Sequence, residues 1–173
     1  VFTLYSQNRQ LSCKKYGFVI VHLLRHAKTE ASSSSGRDYD RKLASKGYLQ
    51  CAKLKEVVKL AINEGCKIHC SSAQRTRETG ISIFETQQSI GYHDELYLCD
   101  RISMAEFIRS YKQENEILII GHNFGISDLA SYFLGTDVTM KTSGFISMEF
   151  PNLQSHEISG STGILISSHR CNL

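Results

Sequence analysis

Two unbroken apolar runs organise this chain. Phe18-Val19-Ile20-Val21-His22-Leu23-Leu24 and Glu116-Ile117-Leu118-Ile119-Ile120 are short, rich in β-branched residues and show no polar alternation. That pattern predicts strands buried on both faces of a sheet. Between them the period lengthens to that of a helix. From Ser45 onward, Leu49, Cys51, Leu54, Val57, Val58, Ala61 and Ile62 form an apolar stripe, with Lys53, Lys55, Glu56 and Lys59 outside it, and Gly65 is placed to end the helix. Cys66 to Cys70 reads as a strand, Ser71-Ser72 as caps, and Gln74 to Gln87 as the next helix, weakened at Gly80. Tyr92–Leu98 is expected to be extended. Ser103-Met104-Ala105-Glu106 has the form of a capping box with Ile102 and Phe107 at staple spacing, and its helix is expected to stop near Tyr111–Gln113. A helix carrying Ile126, Leu129, Ala130, Phe133 and Leu134 on one face ends at Gly135. Phe145–Phe150 and Gly163–Ser167 are the closing strands, with Pro151, the one proline, just past the first.

The resulting order, β-α-β-α-β-α-β-α-β-β, predicts an α/β fold with a mostly parallel sheet and helices packed on it. A chain of 173 residues fits one domain with a full core. Residues 18–173 are expected to form that domain, and residues 1–17, polar and mixed, an extension or an edge strand. Those residues lack the apolar centre of a secretory signal. No apolar stretch reaches the ~20 residues of a membrane span. The net charge of +3 without a long basic run does not favour a nucleic-acid partner. Six irregularly spaced cysteines with no CxxC pair are read as reduced thiols, which predicts a cytoplasmic protein. Cys66, His69 and Cys70 are close enough in sequence to raise a metal site. A structural zinc needs four well-spaced ligands, so they are read as strand residues and no metal is expected.

The chemistry sits where strands end. Arg25-His26 closes the first apolar run, Cys70-Ser71-Ser72-Ala73-Gln74-Arg75 follows another strand, and Gly121-His122-Asn123 follows a third. In a parallel sheet these ends share one edge, the edge at which open α/β folds bind ligands. Guanidinium forks match phosphate oxygens, and a helix amino terminus adds N–H groups of the same polarity. Arg75 falls in the first turn of its helix, and Asn123 opens another. A neutral imidazole beside such a clamp is a competent nucleophile. His22 lies inside a strand and reads as a buried, satisfied histidine. Arg77 turns away from Arg75 by helical spacing. Asp38 and Asp40 can order the serine-rich loop 31–41 or pair with Arg41, and Lys28 and Arg37 either line the site mouth or are surface charges.

These residues resemble the histidine phosphatase superfamily, whose signature is Arg-His-Gly at the first strand end. The chain has Arg25-His26-Ala27-Lys28, followed by Asp38-Tyr39-Asp40-Arg41-Lys42-Leu43 with Gly47, and by Cys70 through Thr79. Gly121-His122-Asn123-Phe124-Gly125-Ile126-Ser127 and Thr142-Ser143-Gly144 complete the set. The set is most similar to the short, SixA-like phosphohistidine phosphatases and spans residues 18–167. The resemblance implies a phosphoglycerate mutase-like three-layer α/β/α sandwich. It implies that His26 accepts the phosphoryl group while Arg25, Arg75 and His122 hold its oxygens, with no metal or other cofactor. Ser32, six residues after His26 where many relatives have asparagine, would add a hydrogen bond, with Lys28 and Asn123 as further substrate contacts. The expected partner is a phosphorylated protein or small phosphorylated substrate, met by a monomer.

Besides Ala27 and Ser32, the chain departs from the family pattern at a third place. Many relatives carry a glutamate acid where this chain has Glu95-Leu96-Tyr97-Leu98-Cys99-Asp100. Without an acid, a phosphohistidine or phosphoramidate is the expected substrate. If Glu95 or Asp100 supplies the proton, a broader phosphomonoesterase is the alternative, and a noncatalytic phosphate-binding module is a third reading.

Overall fold

The computed structural model describes residues 17–85, 89–112 and 114–171. The extension expected over residues 1–17 therefore lies outside the described residues, apart from Gly17. The strands are β1 (Phe18–Arg25), β2 (Lys67–Ser71), β3 (Ile90–His93), β4 (Glu116–Gly121), β5 (Phe145–Pro151) and β6 (Ile164–His169). The helices are α1 (Ser45–Ala61), α2 (Gln74–Phe84), α3 (Arg101–Ser110) and α4 (Gly125–Leu134). One six-stranded sheet has the order β3-β2-β4-β1-β5-β6. β3, β2, β4 and β1 are mutually parallel, and β5 runs against both β1 and β6. The carboxyl ends of β1, β2 and β4 consequently share an edge with the amino end of β5.

The two apolar runs are the two central strands, which is why they carry no polar alternation. Successive residues point to opposite faces. Val19, Val21, Leu23, Ile117 and Ile119 pack with α3 and α4, around Met104, Ile108, Leu129 and Phe133. Leu24, Leu118 and Ile120 pack on the other face with Cys51, Leu54, Val58, Ile83 and Phe84 of α1 and α2. Each of these fully buried aliphatic or aromatic side chains contributes about 1.5–3 kcal/mol. The three-layer arrangement is the one expected.

Several local expectations need correction. Leu49 is 60% exposed, and Gln50 takes its place on the buried face of α1. α1 ends at Ala61 with an extended Ile62, so Gly65 lies beyond the helix end and is not its stop. α2 is capped by Ala73 with no side-chain bond, because Ser71 ends β2 and the Ser72 hydroxyl donates to Asp94. That helix ends at Phe84, and the expected residues 86–87 lie outside the described part. The residues expected to be extended between Tyr92 and Leu98 split into the end of β3 and a helical turn at Asp94–Leu96. α3 is capped by Asp100, which accepts from the Ser103 amide at 2.8 Å, in place of the Ser103 box. Ile102 is exposed, so no hydrophobic staple forms. Gly135 does close α4 in the left-handed conformation, at φ 67°.

Candidate active site

β1 carries Arg25 to its last position and His26 one residue beyond. The main chain there is tied on both sides: the His26 amide donates to Gly121 O at 3.1 Å, and the Ser143 amide donates to His26 O at 3.2 Å. The His26 ring lies 2.8 Å from the Ala27 carbonyl through Nδ1. A carbonyl accepts only, so Nδ1 carries the proton and Nε2 keeps its lone pair. His122, one residue past the buried strand β4, stands across from it with ring centroids 5.2 Å apart and planes tilted by 58°. Its Nε2 is 2.7 Å from the Ser71 hydroxyl, while Nδ1 is buried with no hydrogen-bond partner among the described residues.

Both rings are buried, and burial holds both below the ordinary imidazole range. The His26 value falls to about 4, mainly by burial and further by the Arg75, Arg25 and Arg41 charges, against the Ala27 hydrogen bond. His122 is pushed lower still by burial and then by His26 and Arg75. At neutral pH both imidazoles are uncharged.

The two guanidinium groups are positioned differently. Arg25 donates through one NH2 group to Met140 O at 2.8 Å, and its Nε is buried with no partner among the described residues. Arg75 is only 3% exposed, and donates to Asp38 O at 2.7 Å and to the Asp38 carboxylate at 2.9 Å. Asp38 also accepts from Arg41 at 2.8 Å and from the Tyr97 hydroxyl at 2.9 Å. Despite some desolvation, these partners hold its carboxyl at about 2. The Tyr97 ring meets His122 edge-on at 5.5 Å and lies 5.7 Å from the Arg75 guanidinium carbon.

The structure thus brings together His26, His122, Arg25 and Arg75. Asn123 plays a supporting part: its Oδ1 accepts from Ser127 Oγ, which accepts from the Met140 amide, whose residue carbonyl anchors Arg25. Ser32 is exposed, and the loop's side-chain bonds run instead through Ser33, Ser35, Arg37 and Asp40. Lys28 is exposed at the mouth, with its amide donating to Gln50 at 2.8 Å. Arg77 turns to Ser72 O and the Tyr92 ring, away from the cluster as its spacing predicts. Glu95 is exposed beside His93, and Asp100 is occupied in capping α3. Neither is hydrogen-bonded to the cluster. Sequence reasoning missed Asp38 as the partner of Arg75, and it missed Ser71, Gln50 and Tyr97, all of which act across long sequence separations.

Elsewhere, His69 packs toward Phe107 and Tyr111 of the α3 side while Cys70 packs in the opposite core, so they cannot share an ion. His22, Cys66 and Glu116 bring ligand atoms within 4.8 Å of one another. His22 is spent on Ser147 and Glu116, and Glu116 on Asn63 as well, which is the satisfied buried histidine expected.

The family model described as the histidine phosphatase superfamily (branch 1) matches residues 21–97. No curated protein matches the chain. Among solved structures, a protein assigned as the phosphohistidine phosphatase SixA from Nakamurella multipartitia superposes with a TM-score of 0.75 at 18% identity, covering 89% of this chain and 96% of that one. A protein with the same assignment from Agrobacterium tumefaciens gives 0.74 at 22% identity, covering 88% and 99%. A phosphoserine phosphatase from Entamoeba histolytica, in complex with 3-phosphoglyceric acid, gives 0.63 at 12% identity, covering 88% and 98%. The chain thus matches the histidine phosphatase superfamily, branch 1, over residues 21–97, and over 88–89% of its length it has the fold of the SixA-like structures.

Proposed function

We propose that this protein is a phosphatase that hydrolyses phosphohistidine, in a protein or as a small phosphoramidate, through a phosphorylated His26. The observation that supports this reading is that, among the described residues, no protonatable carboxylate is hydrogen-bonded to the paired imidazoles. Among the described residues, Asp38 is the only carboxylate hydrogen-bonded to the cluster, and at about 2 it stays ionised. An alkoxide leaving group needs an acid. An imidazole leaving group does not, because an imidazole accepts a proton near neutral pH, so the ring can carry a proton on its second nitrogen and depart neutral. The SixA assignments of the similar structures point the same way.

In this reading the His26 Nε2 lone pair attacks phosphorus as the bond to the leaving nitrogen breaks. The leaving imidazole departs neutral. Arg25 Nε and the Arg75 guanidinium face the oxygens and balance the charge that spreads over them, while the neutral His122 ring offers a hydrogen bond from Nδ1. Supplying such positive charge and positioning is the main demand of phosphoryl transfer. Water then attacks phospho-His26, and the ring departs neutral in turn. The free, buried thiols Cys51, Cys66 and Cys70 fit a reducing compartment such as the cytoplasm.

The test is a panel of phosphohistidine peptide, phosphoramidate, an aryl phosphate and a sugar phosphate, with wild type and His26→Ala. Turnover is expected on the first two and lost in His26→Ala, and an acid quench should leave no phosphoryl group on the enzyme whereas an alkaline quench should retain it. Full turnover by His26→Ala would refute the mechanism. Tight phosphopeptide binding with no turnover would restore the binding-module reading.

A further inference from the structure

A cavity of about 620 Å³ opens at the same sheet edge as the imidazoles, between the first turns of α1 and the residues that follow β6. Lys28, Lys46, Lys141 and Arg170 surround it, with Gln50 and Thr142 among its lining, and no carboxylate lines it. Among the described residues none of the four cations forms an ion pair. For a chain whose net charge is only +3, this is a pronounced local concentration of positive charge.

The hollow is wired to the nucleophile's loop. Gln50 is buried and accepts from the Lys28 amide at 2.8 Å and from the Ser143 hydroxyl at 3.2 Å, and the Ser143 amide donates to His26 O. Lys28, which lines the hollow, is two residues past His26 in the same loop. The four cations are all exposed. Long, unanchored side chains around a wide hollow cannot close on one phosphate in the way the buried Arg75 fork can. They suit several anionic groups spread along a segment, each attracted weakly and all adding to the encounter rate.

We propose that this hollow receives an acidic stretch of a protein substrate, next to the phosphorylated histidine that enters between Arg25 and Arg75. The inference rests on the phosphatase reading above and narrows its substrate to a protein with carboxylates flanking the modified residue.

The experiment compares wild type with Lys46→Glu/Lys141→Glu/Arg170→Glu, leaving Lys28 intact. Three substrates are used: a phosphohistidine peptide flanked by glutamates, the same peptide flanked by glutamines, and phosphoramidate. Wild type is expected to prefer the acidic peptide by about tenfold in kcat/KM at low salt, with the preference shrinking as salt is added. The charge-reversed variant should lose the preference and keep its phosphoramidate turnover. A parallel anisotropy titration uses the unphosphorylated acidic peptide. It should bind wild type and not the variant, and it reads the hollow even if wild type turns over none of the substrates, an outcome that would defeat the phosphatase reading alone. Should the triple variant not fold, Lys141→Ala/Arg170→Ala is put through the same assays. Equal handling of both peptides by wild type, or equal binding of the acidic peptide by wild type and variant, would overturn the proposal. So would tighter binding of a single-stranded oligonucleotide than of the acidic peptide.

Discussion

Asp38 grips Arg75 twice, through its main-chain oxygen at 2.7 Å and its carboxylate at 2.9 Å, so the guanidinium is aimed before any oxyanion arrives. The same carboxylate neutralises part of the charge that an oxyanion would seek. In Asp38→Asn the main-chain bond survives and the negative charge is gone. Inorganic phosphate should then inhibit more tightly, by roughly fivefold, the equivalent of about 1 kcal/mol for a part-exposed ion pair. Competitive inhibition constants measure this, and an unchanged constant would show that Asp38 does not compete with phosphate for Arg75.

The depressed imidazoles make a prediction about acid. His26 and His69 are each held at about 4, chiefly by burial, against an unfolded value near ~6.5. A group whose folded value is lowered gives stability that is complete above the unfolded value and is lost as pH falls toward and through the folded one. Denaturant melts should therefore be flat above about pH 6.5 and lose stability between there and pH 4, on the order of 3 kcal/mol for His26 alone. The kcat/KM profile should hold its plateau down to about pH 5, because the nucleophile of the free enzyme remains neutral there. An acid limb centred near 6.5 would contradict the assignment of His26.

Gly47 separates two opposing effects. In a helix interior, alanine is ordinarily better than glycine by about 0.5–1 kcal/mol. A Cβ on Gly47, however, would run into the Lys28 carbonyl oxygen, which already accepts from the Ala44 amide. Overpacking against main chain costs about 1–3 kcal/mol, so the clash wins. Gly47→Ala should lower the melting temperature and reduce turnover, since Lys28 is only two residues past His26. A more stable, fully active variant would show that this loop yields freely.

Asp100 and Glu95 test the missing acid. Asp100→Ala should cost about 1 kcal/mol by removing the cap of α3, and Asp100→Asn should restore most of it. Neither change, nor Glu95→Gln, should alter turnover of a phosphohistidine peptide. A large fall in aryl phosphate hydrolysis with either Glu95→Gln or Asp100→Asn would favour the broader phosphomonoesterase.

Much of this was legible because the informative residues are placed by local pattern. The runs at Phe18–Leu24 and Glu116–Ile120 are buried on both faces, so their composition alone identifies them, and the Arg25, His26 and His122 positions follow from where those runs stop. Gly135 was legible because its left-handed turn favours glycine. What stayed hidden depends on contacts between distant segments. Ser71 reads as a cap, yet its hydroxyl faces a histidine 51 residues later. Asp38 reads as a loop charge, yet it meets Arg75 and Tyr97, 37 and 59 residues away. Gln50 offers no sequence signal, being a polar residue in a buried stripe whose partners lie on two other loops. Leu49 misleads in the opposite direction, as an apolar residue on an outward face.

The ring of His26 is steered by the carbonyl of the very next residue. Every amino acid supplies that carbonyl, so no side-chain exchange anywhere in the protein can delete the group that fixes the tautomer. If His26 is the nucleophile proposed above, side chains in the surrounding loops can be exchanged, and substrate choice with them, without removing the group that orients its Nε2.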